Sequence, residues 1–93
     1  MSLKLQNPLK DPSAVLDYVF DWTKWLATGE TITDHTITAD TGITVDSWTE
    51  DDGKVTVWLS GGTAGVNYKV ACLITTSAGR TDERTIWIKV VDR

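Results

Sequence analysis

The sequence predicts a single all-β domain, a sandwich of about six to seven antiparallel strands, and three observations carry that prediction. Short segments alternate apolar and polar side chains at a period of two. Turn signals rich in Gly, Asp and Ser separate those segments at short intervals. No segment repeats its apolar residues convincingly at helical spacing. With 93 residues and 41% hydrophobic content, the chain has material for one core, and a domain of this size buries roughly 60–70% of the surface its unfolded form exposes.

Residues 1–12 read as an extended arm, because Asn7-Pro8 and Asp11-Pro12 each push the residue before the proline out of helical geometry. Leu3, Leu5 and Leu9 could then lie on the domain or on a neighbouring subunit. The domain proper is expected over residues 13–93. Its first strand is residues 14–22, with Leu16, Tyr18, Phe20 and Trp22 on one face and Val15, Asp17, Val19 and Asp21 on the other. Residues 23–27 do not alternate; Trp25 and Leu26 before Gly29 predict a half-buried turn that caps one end of the sandwich.

Residues 30–40 are rich in Thr and Ile, which suit a pleated surface. Ile32 and Ile37 fall in opposite phases, so a bulge near Asp34 or His35 is needed. A turn at Asp40-Thr41-Gly42 leads to a third strand in which Ile43, Val45 and Ser47 oppose Thr44, Asp46 and Trp48. The acidic turn at residues 50–53 calls for a positive φ at Gly53. A fourth strand, residues 54–60, turns Val55, Val57 and Leu59 inward and Thr56 and Trp58 outward. Residues 61–65 break it. The longest strand, residues 67–76, shares Tyr68, Val70, Cys72 and Ile74 on one face. Residues 77–80 form the loop of a final hairpin, whose last strand carries Ile86, Ile88 and Val90 on one side and Thr85, Trp87 and Lys89 on the other.

The segment from Gly65 to Val70 resembles the tyrosine corner of immunoglobulin-like domains, in which a Tyr at the start of the penultimate strand bonds back to the backbone. The expected fold is therefore an immunoglobulin-like β-sandwich. The disulfide of antibody domains is absent, since Cys72 is the one cysteine. A small domain without disulfides suits cytoplasmic synthesis. No basic start followed by an apolar run marks a secretory signal or a membrane span.

A net charge of −4 and a pI near 4.7 repel phosphate backbones and argue against nucleic acid as partner. Catalytic inventory is thin. His35, the one histidine, sits in a Thr-rich strand, and Cys72 shares the phase of core residues, where a thiol behaves as a small hydrophobe. Asp17 with Asp21, and the turn acids Glu50, Asp51 and Asp52, lack the spacing of a carboxylate pair or a calcium loop. Residues 60–65 lack the lysine and following helix of a phosphate loop. No enzyme activity, metal or cofactor is expected.

Five tryptophans depart from the ordinary. Trp22 and Trp25 belong to the core or its lid. Trp48, Trp58 and Trp87 share phase with polar residues and are candidates for a protein interface, because Trp is enriched among interface hot spots. A second account fits equally: Trp48 and Trp58 could pair across their hairpin and stabilise the sheet. Arg80, Asp82 and Arg84 put mixed charge at the tip of the last hairpin, where sandwich loops often recognise partners, although a solvated turn accounts for them too.

The order Lys10-Asp11-Pro12, Ala14-Val15-Leu16-Asp17-Tyr18, Phe20-Asp21-Trp22 and Trp25-Leu26 resembles the start of a family of small phage and prophage proteins. The run from Val55 to Gly65, then Tyr68-Lys69-Val70 and the run from Ile74 to Arg84, is similar to that family's most characteristic stretch. The family is that of phage fiber-tail adaptor and related immunoglobulin-like tail proteins. The resemblance implies a non-catalytic structural module of the virion tail that contacts tail or fiber proteins; it would be made in the bacterial host cytoplasm, and the sequence leaves open whether it is oligomeric in the particle. It supplies no catalytic or metal residues to carry over, and because the sequence has no long apolar run, no membrane partner is expected. Residues 30–52 match it loosely. The alternative from a different class is a carbohydrate-binding module that stacks sugars on coplanar, outward tryptophans.

Overall fold

The computed structural model describes residues 9–92, which form seven strands and no helix. They are β1 (Leu9–Lys10), β2 (Leu16–Asp21), β3 (Ile32–Ala39), β4 (Ile43–Asp51), β5 (Lys54–Gly61), β6 (Asn67–Thr76) and β7 (Thr81–Val90). Two sheets face each other, one in the order β1-β7-β6-β3 and the other β2-β5-β4. That distribution is immunoglobulin-like, with β2, β5 and β4 opposed to β3, β6 and β7. All neighbours are antiparallel except β1 and β7, which run parallel. Most of the segment expected to be an arm, residues 1–8, lies outside the described residues. Its continuation at Leu9 and Lys10 is a strand that pairs with Lys89 and Val90.

Alternation builds the core as the sequence requires. Phe20, Val55, Val57 and Leu59 from one sheet meet Val70, Ile74, Ile88 and Val90 from the other, all at most 4% exposed. Trp22 is fully buried just beyond β2. Its ring meets Trp25 edge-on, with centroids 5.4 Å apart, and Trp25 and Leu26 are half-buried over the core as a lid.

Bulges set the phase of the two edge strands. The register of β3 on β6 shifts between Ile32 and Asp34, so both Ile32 and Ile37 reach the core. A second shift, between Val45 and Ser47 in β4, is not signalled by the apolar pattern. The β4–β5 hairpin closes through Asp52 and Gly53 with φ of 53° and 87°, the pair of positive values that a two-residue type I′ turn requires.

The tyrosine corner is present. The Tyr68 hydroxyl oxygen accepts the Thr63 N–H at 2.8 Å, tying the start of β6 to the loop before it. Gly42 and Gly62 flank the ring. A Cβ on Gly42 would stand 2.8 Å from Tyr68 Cε1, and one on Gly62 would stand 2.6 Å from Val90 Cγ2. Both glycines have φ near 100°, so the corner excludes side chains on conformational and steric grounds alike.

Lys10 is fully buried. Its ammonium donates to the Asp11 carbonyl at 2.9 Å and the Gly61 carbonyl at 2.7 Å, which satisfies the charge-bearing end that burial strips of water. This lysine links β1 to the end of β5 in the opposite sheet.

Candidate interaction surfaces

β5 is the central strand of its sheet, and its inward valines and Leu59 leave Trp58 on the outer face, 41% exposed. Asp17 stands opposite Trp58 on one side and Ser47 on the other. Asp46, in phase with Thr44, lies on the same outer face, where its carboxylate accepts the Ser60 hydroxyl at 2.8 Å, and the bulge adds Ser47 to that face. Farther along, Asp21 and Asp51 both oppose Lys54. The Asp21 carboxyl is held below its ordinary range by the Thr23 hydroxyl, at 2.6 Å, and the Thr23 amide. Trp58 and the exposed Val19 thus sit in a predominantly acidic face.

Trp87 stands on the outer face of the other sheet, 49% exposed, opposite Lys69 on β6 and two residues before Lys89 on the same strand. Leu9 of β1 lies beside Lys89 and is 47% exposed. Glu83 and Asp34 are carboxylates of this face, at its far end, level with Leu73 and Thr75. The basic groups therefore border Trp87 itself.

Trp48 does not keep the phase expected from the sequence. The bulge between Val45 and Ser47 adds a residue, so Trp48 opposes Val57 and stands on the inner side of the edge strand, although 45% exposed. The partner of Trp58 is Ser47, so no Trp48–Trp58 pair closes the hairpin. Trp48, Trp58 and Trp87 occupy three different surfaces and do not form one flat platform of rings.

The charged residues of the last hairpin have separate placements. Arg80 clamps the lid: its Nε and Nη2 donate to the Glu30 carboxylate, its Nη2 also reaches the Trp25 carbonyl, and its guanidinium lies 3.9 Å from the Trp25 ring centroid. Glu30 also accepts from the Thr76 hydroxyl and the Ala27 amide. These bonds, the Arg80 side chain foremost, pull the Glu30 carboxyl down from 4.5 to about 2. The Glu30 side chain is 3% exposed and that of Arg80 44%. Arg84 donates to the Asp21 carbonyl at 2.7 Å and covers the Trp22 ring at 4.2 Å. Asp82 stays at the exposed tip, where it accepts the Glu83 N–H.

Sequence spacing carries no signal for the Glu30–Arg80 pair, whose members are 50 residues apart. Nor does it mark Lys10, whose burial follows from tertiary structure alone.

His35 lies half-buried just past the β3 bulge. Cys72 is fully buried, and burial pushes its thiol pKa up while the nearby Trp22 N–H opposes the shift. A half-open groove of about 300 Å³ runs between β2 and β7, lined by Val19, Phe20, Asp21, Arg84, Thr85 and Ile86. A second, of about 270 Å³, lies below the lid among Leu26, Glu30, Thr31, Glu50, Asp52 and Gly53. Neither groove holds His35 or Cys72. Among the described residues, no three His, Cys, Asp or Glu side chains gather as metal ligands.

Residues 10–89 match the family model described as "Podophage GP4 fiber-tail adaptor protein gp77". No curated protein matches the chain.

Proposed function

The chain belongs to the podophage fiber-tail adaptor family, and from that premise we propose that it is a non-catalytic connector that joins virion proteins through protein–protein contacts. The observation that carries this reading is the pair of large exposed aromatics on opposite outer faces, Trp58 on one sheet and Trp87 on the other. A connector needs at least two separate contact surfaces. Half-exposed tryptophans with polar surroundings match the composition of interface centres, where aromatic anchors carry most of the energy inside a polar rim.

The partners are phage tail and fiber structural proteins, and the site of action is the virion tail, with synthesis in the host cytoplasm. Each contact can be weak. In a symmetric particle many copies act together, and effective concentration multiplies modest single-site affinity. The loop tip at Asp82 and the edge strands β3 and β4 offer further contacts around the two faces.

The test is capture from lysate of phage-induced host cells with the immobilised chain, followed by protein identification. Wild type is expected to recover tail or fiber proteins, and a folded Trp58→Ala/Trp87→Ala variant to lose them. Recovery of no virion protein, or equal recovery by the folded variant, overturns the reading.

A further inference from the structure

The two outer faces carry opposite charge around their tryptophans. Trp58 is bordered by Asp17 and Asp46, with Asp21 and Asp51 farther along and Lys54 as the one cation in their ladder. Trp87 is bordered by Lys69 across the ladder and Lys89 along the strand. The carboxylates of that face, Glu83 and Asp34, are displaced from Trp87; Glu83 lies four residues up β7, roughly 13 Å away at about 3.3 Å per residue. Asp40, at the sheet edge beside Lys69, is engaged by the Lys69 backbone N–H at 2.8 Å.

We infer that the occupant of each face is a second copy of this chain, stacked head to tail so that the Trp58 face of one copy meets the Trp87 face of the next. The inference rests on reading these faces as interaction surfaces and adds the partner. Three features support it. Each face has a half-exposed Trp, which gives an apolar centre. Each centre is bordered by charges of one sign, and the signs are opposite, so unlike faces attract and like faces repel. Finally, the faces are on opposite sides of a body whose shortest dimension is 17 Å, so occupying one leaves the other free. Such a heterologous contact repeats: it closes into a ring if the rotation between copies permits and otherwise continues as a filament. An open stack leaves one Trp58 face and one Trp87 face free at its two ends for the tail and fiber proteins of the connector reading, with loop tips and strand edges available as well.

The test is sedimentation velocity across a concentration series, with circular dichroism to verify folding. One variant reverses the acidic face, Asp17→Lys with Asp46→Lys; the other reverses the basic face, Lys69→Glu with Lys89→Glu. Asp17→Lys alone serves as a milder form that keeps the Asp46–Ser60 contact. Wild type is expected to self-associate, less so in high salt, where screening shortens to about 3 Å at 1 M. Each reversed variant alone is expected to show a dissociation constant raised at least about tenfold. An equimolar mixture of the two double variants is expected to associate again, because each retains the face the other lacks. Wild type that stays monomeric, a folded double variant that associates like wild type, or a mixture that stays monomeric overturns the inference. Wild type that stays monomeric yet still captures tail or fiber proteins sinks this inference and leaves the connector reading standing. Wild type that does neither sinks both.

Discussion

Tyr68→Phe removes one atom from the corner that ties β6 to its preceding loop. The ring is 5% exposed and remains in Phe, so packing against Gly42 and Gly62 is unchanged. What goes is the hydroxyl that accepts the Thr63 N–H at 2.8 Å. A hydrogen bond of this kind contributes a net ~0.5–1.5 kcal/mol. Thr63 is exposed, so its freed amide can take up water and does not incur the larger penalty of a buried orphan donor. The expected loss is therefore about 1 kcal/mol, which for a domain of this size lowers Tm by about 4–8 °C. Thermal unfolding followed by circular dichroism measures the shift, and urea titration should show a lower midpoint at unchanged slope. An unchanged Tm would mean that the corner bond adds nothing to stability. A loss above about 3 kcal/mol, or an altered urea slope, would mean that the ring moves and that the corner is not a single local tie.

Other outcomes follow from the same geometry. Trp22→Ala should cost about 3–5 kcal/mol in urea unfolding because a fully buried ring leaves a cavity, whereas Trp58→Ala and Trp87→Ala, both on outer faces, should each cost about 1 kcal/mol. The Glu30 carboxyl titrates near 2 when folded against 4.5 otherwise; a depressed carboxylate stabilises fully above the unfolded value, and that contribution fades as pH falls from about 4.5 toward about 2. Glu30→Gln should flatten the acid limb of the stability profile in that window, and an unaltered limb would dismiss the clamp as a source of acid sensitivity. The Cys72 thiol, buried and with its pKa raised, should resist a disulfide reagent at mildly alkaline pH in the native protein and react once denaturant is added; fast native labelling would contradict its burial.

Much of the fold was legible because alternation dictates which residues meet. Val55, Val57 and Leu59 announce an inward face, and with it the outward Trp58. The opposite phases of Ile32 and Ile37 announce a bulge, and Gly53 announces a tight hairpin. The Tyr68 segment was readable for the same local reason. What escaped the sequence depends on distance. The Val45–Ser47 bulge turns Trp48 to the inner side of the edge strand, yet no apolar pair in conflicting phase betrays it. Lys10 follows an Asn-Pro step and carries a charge, so nothing local predicts that carbonyls at Asp11 and Gly61 will bury it. Arg80 looks like loop-tip charge until Glu30 and Trp25 arrive from a segment some 50 residues earlier. The two outer faces were foreseeable as surfaces from the phase of Trp58 and Trp87. Their opposite charge was not, because it arises from which strands become neighbours.

The most direct test of the chain as a connector is a bridging assay with the tail and fiber proteins it captures. One is immobilised, the chain is added, and retention of the other is measured with and without it. The second protein is expected to be retained only when the chain is present, and the folded Trp58→Ala/Trp87→Ala variant is expected not to retain it. Competition between the two proteins for the chain, or retention that does not require it, would show that the chain is not a connector between them.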